Sequence, residues 1–421
     1  MKVKVLDVIM GGGKTSGMIN YINSHKGNEK FIFVTPYLTE VQRIIDGCPN
    51  KNFCQPKTGA TKLRSLKILL QSRKNIATTH ALFHYFDQEV IDLIQNNNYI
   101  LVMDEVVDVV LPYEKKTTKE RIEGITRSDL NCILNNYGHL DAKTHLIVWD
   151  DDTYDGGLNK YKKMCELGCL ALYGSNQTPL WLFPVDVFTA FKEVYVMTYM
   201  FDAQIQKYYY DLKGIEYEYL FVDTDSNGDY FITKNNPNIP KKDYRSLISI
   251  CEKEKLNRIG DKKHDLSKTW YERNQDNCLM NQLKNNVGNY FRNVCRAKSE
   301  QCLWTTFKDY KGKIRGKGYT KGFISCNLRA TNEFRDRNCF AYLMNRYMNP
   351  VVKNFFIQNG VEVDEDKYAL SELLQCMWRT SIRDDKPISV LITPSRMRNL
   401  LIKWVEENSI SFNKTSQANG E

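Results

Sequence analysis

The chain has 421 residues and 42% hydrophobic composition, enough for two or three domains with a core in each, which excludes a disordered chain. No run of 18 apolar residues occurs, and the sequence opens on strand-like residues instead of a charged leader and apolar stretch. A soluble, cytoplasmic protein with no membrane partner is therefore expected. The net charge of +9 is concentrated: residues 241–321 carry 20 Lys and Arg against 9 Asp and Glu, a surplus of 11 that leaves the rest of the chain at −2. The twelve Cys are scattered; neither Cys165 with Cys169 nor Cys48 with Cys54 has a second pair at zinc-site spacing, so reduced thiols are expected.

In chain order, residues 3–9 form an apolar run that stops at three glycines and resumes at Lys14, the pattern of a buried strand, a tight loop and a helix. Similar strands are predicted at 31–36, 75–80 and 99–105. Their continuous apolar runs, without alternation, predict a parallel sheet covered on both faces, hence an α/β lobe. Further strands are predicted at 145–150 and 193–198, with the Gly-rich stretch 150–184 between them read as irregular insertions. A helix over 203–212 leads into a strand at 217–222 and a hairpin around Asn227-Gly228. A lobe boundary is placed there, giving 1–215 and 216–413, with a frayed polar tail at 414–421. In the second lobe, helices are predicted at 244–255, 276–298, 338–359 and 369–381, and strands at 302–307, 322–327 and 388–393.

Gly11-Gly12-Gly13-Lys14-Thr15, between a strand and a helix, has the context of a phosphate-binding loop. Glycines let backbone N–H groups turn toward phosphates, Lys14 neutralises their charge, and the Thr15 hydroxyl is suited to Mg²⁺. Val8 stands where the full pattern wants a first Gly. Asp104 and Glu105 end an apolar strand; Asp104 suits a metal-bound water, and Glu105 the orientation and deprotonation of an attacking water. The pair defines a nucleoside-triphosphatase with ATP and Mg²⁺ as ligands. In the basic segment, Trp270, Tyr271, Tyr290, Phe291, Trp304 and Tyr319 are interleaved with the cations. That is the composition of a single-strand track, or equally of a solvated surface over an aromatic core.

Asp104-Glu105-Val106-Val107 resembles the DExx box of superfamily 2 helicases. Val34 to Val41, with Thr35 and Pro36, is similar to their motif Ia, and Ala77 to Leu82, with Thr79 and His80, to the strand-contact motif that follows. Val196 to Tyr199 occupies the place of motif III. Leu328 to Arg337, with Thr331 and Asn332, resembles motif V, and Gln375 to Arg383 resembles motif VI, although its two arginines are four apart where the usual spacing is three. The combination of Asn327 to Asn349 followed by Arg379 to Arg398 looks most like that of helicases encoded by bacteriophages. The resemblance covers about residues 1–110, 195–205 and 320–400, leaving the middle and the basic segment uncovered.

The resemblance implies two RecA-like α/β lobes with parallel sheets, a P-loop helicase core plus insertions. It implies that Arg379, Arg383 and Gln375 act on the nucleotide held by the first lobe, and that Thr35, Pro36, Thr79, His80, Thr331 and Asn332 hold nucleic acid, with single-stranded DNA favoured. Two arginines four apart are expected on one helical face. A DNA motor in phage replication or recombination, working with proteins of those processes in the host cytoplasm, is the function implied. A motor that translocates or anneals without unwinding, and an ATP-switched binding module, are the alternatives. Asp150-Asp151-Asp152 reads as a solvated turn. His80 and His84, four apart, have no third ligand in view, and His80 reads as a polar contact at the strand end, near nucleic acid.

Overall fold

The computed structural model describes residues 2–57, 61–115, 123–175, 177–237, 242–326 and 333–410. The chain divides into two compact units, Met1–Pro237 with Met348–Asp364, and Asn238–Tyr347 with Glu365–Glu421.

The first unit is built on β1 (Val3–Asp7), β2 (Lys30–Thr35), β3 (Ile76–Thr79), β4 (Tyr99–Asp104), β5 (Glu193–Thr198), β6 (Tyr217–Thr224) and β7 (Tyr230–Thr233), in the order β7-β6-β1-β5-β4-β2-β3. The pairs from β6 to β3 are parallel, and β7 closes the edge as an antiparallel hairpin on β6. Every residue of β4 is buried, which is why its sequence is a continuous apolar run without alternation. Leu6, Phe31, Phe33, Val102 and Met197 meet Met18 and Ile22 of the helix Lys14–Ser24 in one core.

The domain boundary lies further along than the sequence suggested. Strand β6 pairs with β1, Val3 opposite Tyr217 and Leu6 opposite Leu220, so residues 216–237 belong to the first unit and not to the second. The stretch 150–184, expected to be irregular, holds the helix Asn159–Glu166 and two strands, Leu170–Tyr173 and Thr178–Leu182, which form an antiparallel sheet with Val110–Pro112. Together with the preceding residues from about 113 it forms a core of its own, including Leu130, Ile133, Trp149, Leu170 and Leu172. The first unit also takes back a helix from late in the chain, Pro350–Gln358, whose Phe355 and Phe356 lie 6.2 and 5.8 Å from the rings of Tyr173 and Tyr208.

The second unit carries an all-parallel sheet of β8 (Ile248–Ile250), β9 (Cys302–Thr305), β10 (Cys339–Tyr342) and β11 (Ile388–Ile392), ordered β8-β11-β10-β9. Two of these strands fall where helices were expected. The predicted helix 338–359 is a buried strand, a connection and a separate helix capped by Asn349; the predicted helix 244–255 is two short helices around β8. The predicted strand 322–327 is, as far as it is described, an isolated bridge between Phe323 and Trp304. The tail 414–421 lies outside the described residues.

The aromatics of the basic segment pack inward. Tyr271, Tyr290, Phe291, Trp304 and Tyr319 are at most 3% exposed and form the core of the second unit with Leu283, Val287 and Leu343. The single-strand track read from composition is therefore corrected for these five; Trp270 alone of the six is half-buried.

Candidate functional site

Strand β1 ends at Asp7, and the turn after it must reverse the chain into a helix within a few residues. Gly11 and Gly13 take left-handed backbone conformations, with φ of 84° and 82°. Gly13 is constrained twice, because a Cβ there would also lie 2.3 Å from the ring of Tyr230 on β7. At Gly12 a Cβ would meet the side chain of Val8 at 2.5 Å. The loop keeps its course with Val8 in place of a Gly: the Val8 carbonyl accepts from the ammonium of Lys14, which also donates to the carbonyl of Ile9 at 3.5 Å. Lys14 is buried, and Thr15 follows it in the first turn of the helix.

Strand order brings the acids to this loop's side of the sheet. In parallel sheets the ligand end is the carboxyl end of the strands. Strand β5 lies between β1 and β4, with Asp7 opposite Thr198 and Met197 opposite Asp104. The Glu105 backbone N–H donates to Met197 O at 2.9 Å, and its carboxylate accepts from the Thr198 hydroxyl at 3.0 Å. Glu105 sits at φ 64°, a region that costs a side chain-bearing residue about 1–2 kcal/mol, so its direction is imposed by these bonds. Two residues on, the Val107 N–H donates to the buried side chain of Gln206 at 2.8 Å. Asp7 pins the turn after β5, accepting from the N–H groups of Met200 and Phe201 at 2.7 and 2.9 Å.

Burial pushes the Asp104 carboxyl up to about 7, with the charge of Glu105 adding to the rise and Lys14 opposing it. A buried carboxylate and its acidic neighbour beside an ammonium and a hydroxyl form a donor set suited to a hard divalent cation carried by phosphates. Such a cation needs one or two protein carboxylates, and no group of three or more His, Cys, Asp or Glu stands ready for a metal among the described residues.

The remaining residues singled out by sequence divide. Thr35 and Thr79 face each other at the carboxyl ends of β2 and β3, and Thr35 is fully buried. Pro36 follows in the connection to the next helix. His80 bonds to the Asp104 carbonyl at 2.9 Å and His84 to the Asp108 carbonyl at 3.1 Å, so both tie neighbouring segments to the acid strand. Asp150 pairs with His139 and Asp151 accepts from Thr153, as expected of a turn. Thr331 and Asn332 lie outside the described residues.

In the second unit, Gln375 is half-buried on the helix Glu365–Met377. Arg379 and Arg383 do not share a helical face: that helix ends at Met377, and Arg383 belongs to a separate short turn, Ser381–Asp384. Arg379 is buried and donates to Ser325 O at 3.5 Å. Sequence reasoning missed Asp7, Gln206 and Tyr230. Asp7, an acid closing an apolar strand, carried a signal like that of Asp104; Tyr230 reaches Gly13 only through strand order and left none.

A strand running into the Gly11–Gly13 turn and helix, separated from an acid-tipped strand by one intervening strand in a parallel sheet, is the RecA-like form of the α/β fold, and a Rossmann-like unit follows it. Residues 242–405 match the family model described as the YonV C-terminal Rossmann-like domain. The SPbeta prophage-derived protein YonV of Bacillus subtilis (strain 168) is 42% identical over 422 residues, covering 96% of this chain and 99% of that protein. The chain belongs to the YonV family. Solved structures similar to it include an apo XPD, at TM-score 0.49 and 12% identity over 96% of this chain and 95% of that one. The S. tokodaii Xpd4 structure gives TM-score 0.48 and 12% identity over 96% and 94%. The helicase MrfA bound to DNA and AMPPNP gives 0.34 and 11% over 97% and 48%.

Proposed function

We propose that this chain is an ATP-hydrolysing motor acting on nucleic acid. One observation carries the reading: Lys14, Thr15, Asp104 and a hydrogen-bonded, backbone-constrained Glu105 stand at one end of one parallel sheet. When bound, ATP supplies the anhydride to be split and Mg²⁺ neutralises its charge. Lys14, Thr15 and the backbone of Gly11 to Gly13 would hold them, with Asp104 on the metal side. Glu105 orients a water and takes its proton, and the Thr198 hydroxyl fixes the carboxylate that does so. Arg379, Arg383 and Gln375 are the second unit's candidates for stabilising charge on the transferred phosphoryl group. Thr35, Pro36, Thr79 and His80, with Thr331 and Asn332, are the candidate strand contacts.

Single-stranded DNA is the favoured substrate, and the prophage origin of the relative supports a phage setting in a host cytoplasm, beside replication or recombination proteins. No helix among the described residues is long and apolar enough to cross a membrane. The test is steady-state ATP hydrolysis titrated side by side with single-stranded DNA, duplex DNA and RNA. Stimulation by one of the three identifies the substrate; hydrolysis indifferent to all three rejects a nucleic-acid motor, and binding without turnover favours the ATP-switched module.

A further inference from the structure

Some charged side chains of the second unit are engaged in ion pairs. Lys313 is paired with Asp276, Arg335 with Asp384, Arg346 with Glu372 and Arg396 with Asp366. Lys262, Lys263 and Arg273 are exposed and hold no ion pair among the described residues. All three line one open cavity of about 640 Å³, together with the half-buried Trp270. The one acid there, Asp265, accepts the backbone N–H of Lys262 at 2.9 Å.

The cavity wall is fixed before any ligand arrives. Leu266 is fully buried in a left-handed conformation at φ 58°, and its carbonyl accepts the Asn345 N–H at 2.9 Å. The Asn345 side chain donates to the carbonyls of Lys263 and Asp265 at 2.9 and 3.3 Å, and the Tyr347 hydroxyl donates to Lys263 O at 2.6 Å. Trp270 is held edge-on to the buried Tyr271, ring centres 5.2 Å apart. Three cations and one carboxylate, Asp265, around an indole leave the cavity net positive on a fixed backbone, a field that favours an anion. The anion that also gains from an aromatic face is a phosphodiester with a base attached.

We propose that this cavity is a single-strand subsite of the second unit, with Lys262, Lys263 and Arg273 on phosphates and Trp270 under a base. It rests on the nucleic-acid reading above and moves the binding surface of the basic segment away from its buried aromatics. The test uses the full chain and a fluorescein-labelled oligothymidine, with anisotropy followed over a salt series. Combined Lys262→Ala, Lys263→Ala and Arg273→Ala should weaken binding at least about tenfold and flatten the slope of log K against log salt by about 0.7 for each phosphate no longer neutralised. Trp270→Ala should weaken it about tenfold with an unchanged slope. Lys311→Ala with Arg315→Ala and Lys317→Ala, removing equal charge outside the cavity, should change affinity little. ATP affinity, which depends on the first unit, should hold in all variants. If one loses it, the doubly substituted Lys262→Ala, Lys263→Ala chain, altered only at exposed side chains, decides instead.

Wild-type affinity and slope in both cavity variants would overturn the subsite while leaving the motor reading intact, as would displacement of the oligonucleotide by equimolar thymidine monophosphate. Failure of the wild type to bind any strand would remove the motor reading and the subsite with it.

Discussion

Asp104 and Glu105 are neighbours with different environments, and on the proposed function the difference gives them different work. Glu105 is half-buried, its carboxylate set by Thr198. Glu105→Gln keeps the acceptor for Thr198 but cannot take a proton, so kcat should fall about a hundredfold to ten-thousandfold with ATP affinity retained. Lys14→Ala should instead lose the affinity. Equilibrium binding of a fluorescent ATP analogue beside steady-state turnover separates the two, and wild-type turnover in Glu105→Gln would remove it as the base. Asp104 is buried, its carboxyl raised to about 7 against 3.8 for a free one. The folded chain thus holds the proton more tightly than the unfolded chain. The stabilising contribution is complete below about pH 4 and is lost as pH rises through about 7, on the order of 4 kcal/mol in all. In metal-free protein Asp104→Asn removes that loss, so its melting temperature should exceed the wild type's above about pH 7, with the gap closing toward pH 4. A gap independent of pH would mean that Asp104 titrates as an ordinary carboxyl.

At the scale of elements, the parts of the site that sequence exposed were those made by contiguous residues. The loop at Gly11 to Thr15 and the strand ending in Asp104 and Glu105 each hold their candidate residues within a few positions, so pattern and spacing are enough to single them out. Contacts made through strand order were hidden: Tyr230 lies against Gly13 because β7 pairs with β6 and β6 with β1. Strand β10 reads as helix in the sequence because a buried parallel strand and a buried helix both appear as an unbroken apolar run. The arginines of the motif VI region show the same limit, since four-residue spacing implies a shared face only while the helix lasts, and it stops at Met377. Their separate placement predicts separable effects. Arg379, buried on Ser325 O, should cost both kcat and melting temperature when changed to Ala, and Arg383→Ala is judged by kcat. A phosphoryl-stabilising arginine is worth about a thousandfold or more in turnover. A loss of that size at saturating ATP and DNA marks the one that acts, and mild losses in both would reject both.

For the whole molecule, chain order and spatial unit do not coincide. The polypeptide leaves the first unit after Pro237, returns for Met348–Asp364, and leaves again. The returning helix Pro350–Gln358 buries Val352, Phe355 and Phe356 against the first unit, Phe356 beside the fully buried Tyr208, and the Tyr208 hydroxyl bonds to the backbone N–H of Asp364 at 3.1 Å. Burying an apolar side chain of this size contributes about 1.5–3 kcal/mol, so three of them supply a large part of the stability of an ordinary domain. A fragment of residues 1–237 should therefore be less stable than the same fragment joined by a flexible linker to residues 348–364. The expected difference is several kcal/mol in urea unfolding, accompanied by binding of a hydrophobic dye to the shorter fragment. Phe355→Ala with Phe356→Ala in the joined fragment should bring its stability down to that of the shorter one. If both fragments unfold at the same urea concentration, the helix is a passenger on the first unit and the domain boundary at Pro237 is sufficient by itself.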